Sequence, residues 1–311
     1  MKTDHFRAMN SDIVLVAEGE LSQVESGLAA VQNFVDASEK RFTRFSEHSE
    51  LSALNRSAGD WFHTSPDLFE VVKEAMFYFH KTNGLFDPSI LPSLKDAGYV
   101  HSMDEIRRVG SAPQPARHLQ TSISTFSSVE LNDANSSIRL PADLQIDLGG
   151  IAKGWIAERA AHLLSQYATS CAVNAGGDMF LVGLPQGQDS WEVGLEDPRN
   201  PQEDISVLLL QEGAVATSSV VKRAWKQGNI SRHHLINPRT GQPAITQWLS
   251  VTVLAPHAAA AETFAKAFLI ADEDETQSLA EQNPELTVLA VDKDGNLVSL
   301  IESKENIYAV H

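Results

Sequence analysis

Apolar positions along the chain change period several times, and each change marks an element. Ile13 to Ala17 is a short continuous apolar run, which predicts a buried strand. Leu21, Val24, Leu28, Val31 and Val35 then recur at helical spacing, predicting an amphipathic helix that runs towards Arg41. The polar stretch from Ser46 to Gly59 predicts a loop whose only large anchors are Leu51 and Leu54. A second helix is punctuated at both ends: Ser65 is a natural N-cap, Pro66 suits the first helical position, Asp67 suits the dipole, and Gly84 ends it. Its body from Leu68 to Phe79 is apolar on most faces and predicts deep burial, with Met76, Phe77 and Phe79 in the core.

Past a Pro- and Ala-rich surface loop over Gly110 to Gln120, strands dominate: Ser128 to Leu131, Ser137 to Leu140 and Leu144 to Leu148. The last runs through Gly149-Gly150 into a helix from Ile151 to Tyr167. Further strands are expected at Ala172-Val173, Met179 to Val182, Trp191 to Leu195, Ile205 to Leu210, Ala214 to Thr217 and Leu249 to Leu254. Two helices follow, from about Ala259 to Ile270 and from Glu273 to Gln282, and then a hairpin, Leu286 to Val291 with Leu297 to Ile301, turned by Asp294-Gly295. Strands outnumber helices without alternating with them, so the fold class is α+β with mixed or antiparallel sheets rather than doubly wound. No repeat or linker divides the 311 residues, which predicts a single domain of two intimately packed lobes over residues 1–311.

Charge narrows the partners. The balance of 24 basic against 41 acidic residues gives −17, which opposes binding to nucleic-acid phosphates or anionic lipid. Lys222, Arg223, Lys226 and Arg232 form a local basic patch too small to reverse that. Cys171 is the chain's one cysteine and lies in an apolar stretch, so it reads as a small buried hydrophobe with no disulfide or zinc site. The opening residues lack a long apolar core, so no stable membrane insertion is expected, and the chain as written is cytoplasmic, or exported if a signal was trimmed.

Four segments carry candidate chemistry. In Asp147-Leu148-Gly149-Gly150-Ile151-Ala152-Lys153-Gly154 a strand ends in a carboxylate, glycines turn the chain, and a helix begins. Free N–H groups at such a start bind anions, and glycine lets a phosphate approach the backbone, although packing alone can also require the glycines. It is neither a Walker loop nor a dinucleotide fingerprint. Asn174-Ala175-Gly176-Gly177-Asp178 is a bulge or a ligand contact, with equal claim. In Gly84-Leu85-Phe86-Asp87-Pro88 the proline holds Asp87 extended, either as a plain turn or as an acceptor for a ligand's amide or ribose. His233 through Gly241 offers Arg239 to an anion and His234 as a general acid or base, with His233 at the surface.

Taken in order, these segments resemble the ApbE-type flavin transferases, the FAD:protein FMN transferases. Ser49-Glu50-Leu51-Ser52-Ala53-Leu54-Asn55, Ala216-Thr217-Ser218 and His234 through Gly241 add to the match, which runs from about Met9 to the C-terminal helices. The resemblance implies a two-lobed α+β fold and an enzyme that splits FAD. The FMN half is joined by a phosphoester to a threonine or serine in a flavinylation motif of an acceptor protein, with Mg2+ bridging the pyrophosphate. It implies FAD contacts from Met9, Leu85, Phe86, Asp87, Asp147, Lys153 and Ile236, and a catalytic role for His234. The implied metal ligands are Glu262 and the Gly150 carbonyl.

The chain departs from the family pattern at several positions. Glu262 and Lys266 stand where the family has aspartate and threonine as metal ligands. A protonated lysine cannot ligate Mg2+, and its ammonium can instead stand where the cation belongs. Ser219 replaces a glycine, and Asn237 an aspartate. The altered positions also suit two alternatives: a non-catalytic FAD-binding protein, and an FAD pyrophosphatase.

Overall fold

A computed structural model describes residues 1–109, 124–227 and 230–302. The loop expected over Gly110 to Gln120 lies outside them. Eight helices are described: α1 (Leu21–Phe42), α2 (Glu50–Arg56), α3 (Pro66–Lys81), α4 (Leu91–Asp96), α5 (Met103–Val109), α6 (Ala152–Leu164), α7 (Ala258–Ile270) and α8 (Glu273–Gln282). The chain forms two compact units, each discontinuous in sequence. The first comprises residues 1–37, 153–219 and 246–311, and the second 38–152 and 220–245.

The first unit is built on an eight-stranded sheet whose spatial order follows the sequence. Its strands are Lys2–Ala8, Ser11–Glu18, Ser170–Ala175, Asp178–Val182, Gly213–Ser219, Trp248–Ala255, Thr287–Asp292 and Leu297–Ile301. Every neighbouring pair is antiparallel. The first strand, with its alternating polar and apolar residues, escaped the apolar-run reading. In the Trp248–Ala255 strand Val251, Val253 and Leu254 have no exposed surface, so both of its faces are covered. The hairpin Trp191–Asp197/Asn200–Leu210 supplies one cover, packing Trp191, Val193, Leu195, Leu208 and Leu210 onto Leu181, Val215, Leu254 and Leu289. Helix α7, buried along nearly its whole length, packs on the Asp178–Val182, Gly213–Ser219 and Trp248–Ala255 strands.

The second unit holds α2 to α5 and a small sheet, Trp61–His63 and Glu130–Asn132 on either side of Ser137–Arg139. Helix α3 starts as predicted, with Ser65 Oγ accepting from Leu68 N–H and Pro66 in the first turn. Its burial is one-sided. Leu68, Val71, Val72 and Ala75 are enclosed and Met76 and Phe79 are half-buried, with Phe79 packed edge-on against the buried Phe126, but Phe77 is 54% exposed because it lies on the opposite side from the stripe facing the core.

Two further segments differ from the pattern their sequence predicts. The Ser46 to Gly59 stretch contains α2, capped by Ser49, whose Oγ accepts from Ser52 N–H, and anchored by the fully buried Leu51 and Leu54. Leu144 to Leu148 joins no strand ladder. Its backbone is satisfied otherwise: Asn55, at the end of α2, donates Nδ2–H to Ile146 O at 2.9 Å and accepts Ile146 N–H at 2.8 Å, while Asp147 N–H donates to Pro88 O at 2.8 Å. Leu144, Ile146 and Leu148 are fully buried, which is the apolar signal that suggested a strand.

Candidate functional site

In the first unit, chemistry-bearing residues gather at one end of the large sheet. Met9 and Asn10 form the two-residue turn between the first two strands, both with φ near +54°, as a type I′ hairpin turn requires. A methionine in that region is uncommon and marks Met9 as a position where geometry outweighs local preference. The next turn, Gly176-Gly177, sits beside it. Gly176 N–H donates to Asp12 O at 3.1 Å, and a Cβ on Gly176 would stand 2.6 Å from Ser11 Cβ. At Gly177 an added Cβ would meet nothing within 4 Å, so its left-handed φ rather than crowding requires glycine.

Asp178 follows, 3% exposed, and holds the Lys153 ammonium in an ion pair. Lys153 Nζ also donates to Glu262 Oε1 at 2.8 Å, and Lys266 Nζ, one turn further along α7, donates to the same oxygen at 3.1 Å and to Glu262 O at 3.2 Å. Glu262 Oε2 accepts Gly154 N–H at 2.8 Å, so this carboxylate caps the start of α6. The approach depends on Gly154, where a Cβ would lie 2.4 Å from the Ala258 carbonyl oxygen. Glu262 has no exposed surface. Burial pushes its carboxyl up, but the two ammonium groups and the Gly154 N–H outweigh that and hold it well below the usual range, at about 2.

Lys153 and Glu262, both expected at the site, are therefore in direct contact. Asp178, within a segment the sequence marked, is the partner of Lys153 that no motif singled out.

The second unit carries the other cluster. Asp147 Oδ1 pairs with Arg44 Nε at 3.1 Å, and its Oδ2 accepts Gly149 N–H at 3.2 Å. Arg44, with a side chain 5% exposed, also donates to Tyr99 O at 2.7 Å, and its guanidinium lies 4.2 Å and 4.6 Å from the ring centres of Phe45 and Tyr99. Lys95 donates to Gln145 Oε1 at 2.9 Å, and its ammonium is pushed below its ordinary pKa by burial and by Arg44, against the pull of Asp147. Asp87 caps a one-turn 3-10 helix by accepting from Ser89 N–H and Oγ–H. Burial raises its pKa and the Ser89 hydrogen bonds oppose the rise. Because Asp147 N–H bonds Pro88 O, the Asp87 and Asp147 segments touch.

Leu85 and Phe86 are buried behind that turn, where Phe86 N–H donates to Thr82 Oγ1 at 3.1 Å. Ile236 belongs to a buried cluster with Tyr99 and Trp225, whose rings stack 5.2 Å apart. His234 is half-buried, its N–H donating to Arg223 O at 3.3 Å. His233 is also half-buried rather than at the surface: Nε2 lies 3.1 Å from Ala244 O, and burial lowers its pKa. Gly150 sits in the turn that leads into α6. Arg44 and Lys95 went unmarked in the sequence because no local motif contains them, although a charged residue between Thr43 and Phe45 is the signal that was present.

The all-antiparallel sheet with its covering helices, and the charge pairs and glycine turns it carries, define an α+β protein of the flavin-transferase fold. Over 96% of both chains the structure matches the ApbE protein of Thermotoga maritima with a TM-score of 0.80 at 23% identity. It also matches the flavin transferase ApbE of Vibrio cholerae with a TM-score of 0.75 at 20% identity, over 96% of this chain and 97% of that one. A model of the ApbE family matches residues 9–290, and the chain belongs to that family. Among its relatives, the FAD:protein FMN transferase of Treponema pallidum is 27% identical, covering 88% of this chain and 79% of that one. The enzyme of the same name from Vibrio cholerae is 26% identical, covering 89% and 82%. No described helix is long and apolar enough to cross a membrane.

Proposed function

We propose that this chain is an FAD:protein FMN transferase. The hydroxyl oxygen of a threonine or serine on an acceptor protein attacks the phosphorus of the FMN half of FAD. The bond from that phosphorus to the oxygen of the AMP half breaks, AMP leaves, and FMN remains joined to the acceptor through a phosphoester. The observation that carries this reading is the family match over residues 9–290, with Asp147 and Lys153 both present and held by charge partners.

Each group has a role in that reaction. Met9, Leu85, Phe86, Asp87, Asp147 and Ile236 bind FAD. Asp147, fixed by Arg44 and by Gly149 N–H, presents an oriented carboxylate to donors on the flavin nucleotide. Lys153 stands at the pyrophosphate, where its ammonium offsets charge building on the leaving oxygen. His234 takes the proton of the attacking hydroxyl.

Mg2+, which the resemblance implies, does not fit Glu262 as the structure holds it. One oxygen of that carboxylate takes two ammonium groups, the other takes Gly154 N–H, and the residue is fully enclosed.

Purified protein incubated with FAD and a threonine-containing acceptor peptide, read by mass spectrometry, tests the reading. One added FMN on the peptide, with AMP released, is the expected result. FMN and AMP without any adduct would make the chain a pyrophosphatase, and bound but intact FAD would make it a binder.

A further inference from the structure

Glu262 and Lys266 together make a site that is complete without a metal ion. Two ammonium groups, of Lys153 and Lys266, face two carboxylates, of Asp178 and Glu262, so the cluster is neutral. The side chains of Asp178 and Glu262 are 4% and 1% exposed, whereas those of Lys153 and Lys266 are 12% and 14% exposed. The positive groups are thus the ones that reach the open side of the cluster. A divalent cation entering here would have to displace an ammonium from Glu262 Oε1 and shed water into an enclosed position, and Mg2+ dehydrates reluctantly. With threonine at position 266 the same cluster would carry one excess negative charge, which attracts a cation and repels a diphosphate.

We propose that the Glu262–Lys266 pair excludes a divalent cation and that the Lys266 ammonium supplies the positive charge in its place, so that FMN transfer proceeds without a metal. The inference rests on the transferase reading for its catalytic consequence, but not for the exclusion itself. A lysine ammonium is a compact, strongly hydrated point charge. Tethered at one turn's distance from Glu262 on the buried helix α7, it is already in position when FAD arrives.

Two measurements on the full chain test this. Mn2+ is titrated into metal-free protein, with and without FAD, and followed by the loss of its free-ion EPR signal. Wild type is expected to take up no stoichiometric Mn2+ beyond that bound by FAD alone, while the Glu262→Asp/Lys266→Thr double variant gains one site per chain. Transfer to the acceptor peptide is then timed in EDTA and in excess Mg2+. Wild-type rates are expected to agree within about twofold, and the double variant is expected to lose about tenfold or more in EDTA and recover with Mg2+.

One Mn2+ bound per wild-type chain, or wild-type transfer that stops in EDTA and returns with Mg2+, overturns the proposal. Both of these arms use wild type, so the decision stands even if the double variant fails to fold. Absence of transfer under every condition would refute the transferase reading, and the Mn2+ titration would still decide whether the cation is excluded.

Discussion

Glutamine at position 262 keeps the shape of the side chain and removes its charge, which makes Glu262→Gln the sharpest probe of the buried cluster. The wild-type carboxylate accepts from Lys153, Lys266 and Gly154, and the residue has no exposed surface. A single amide oxygen cannot serve donors arriving on both sides, and the amide NH2 would face either an ammonium or an N–H. Lys153 keeps Asp178, but Lys266 loses the carboxylate it pairs with on α7.

Breaking one partner out of a buried ion pair costs about 3–5 kcal/mol. At about 2 °C per kcal/mol for a chain of this size, that lowers the Tm by roughly 6–10 °C. Adding Lys266→Met should return about 1–3 kcal/mol, because the second change removes the ammonium that has lost the Glu262 carboxylate.

The sign of the pH dependence follows from the depressed pKa. Relative to an ordinary value of 4.5 the folded carboxyl sits at about 2, so its stabilisation is fully present above pH 4.5 and is lost as pH falls towards 2. Urea unfolding of wild type and variant, followed by circular dichroism from pH 8 down to pH 3, reads both effects. A loss below about 1 kcal/mol at pH 7, or a gap that does not shrink under acid, would refute the reasoning.

Three further outcomes are expected. Gly154→Ala places a methyl group 2.4 Å from a backbone oxygen of α7, so α6 and α7 must separate; a destabilisation of about 1–3 kcal/mol or more should appear in thermal melts, and an unchanged Tm would show that the helices yield freely. Arg44→Met leaves Asp147 without its guanidinium partner and should weaken FAD binding by about tenfold or more in flavin fluorescence titrations, with a smaller effect arguing against Asp147 as an FAD contact. The Cys171 thiol is buried, donates to Ala161 O at 3.4 Å, and is pushed up to about 12 chiefly by burial. It should therefore ignore a thiol reagent in the native protein and react once per chain in denaturant, and rapid native labelling would contradict its enclosure.

The apolar pattern of the sequence located most elements because their burial is periodic, and it failed where burial and hydrogen bonding part company. Leu144, Ile146 and Leu148 alternate as a strand would, yet their segment finds its hydrogen bonds in the side chain of Asn55 and in Pro88, partners distant in sequence. Conversely, Ser46 to Gly59 looked too polar for a helix, although Ser49 and the spacing of Leu51 and Leu54 carried its cap and its buried face. The site divides in the same way. Lys153 and Glu262 are legible as members of motifs, but Asp178, the second carboxylate on Lys153, is visible as a partner only once one strand and two helices bring residues 153, 178 and 262 together.

That convergence gives one carboxylate two obligations. Glu262 closes the first turn of α6 through Gly154 and neutralises the lysines that face outwards, so helix start and electrostatics share a single charge. A substitution of Glu262 therefore disturbs the cap and the ion pairs together. The lysine at position 266 answers both demands. It offsets the carboxylate that the helix start requires, and it leaves the cluster neutral, with its ammonium groups towards the open side. A threonine there would preserve the cap but leave a buried negative charge for a cation to satisfy. On the proposal above, the Glu262–Lys266 pair, and not the fold around it, removes the requirement for a metal.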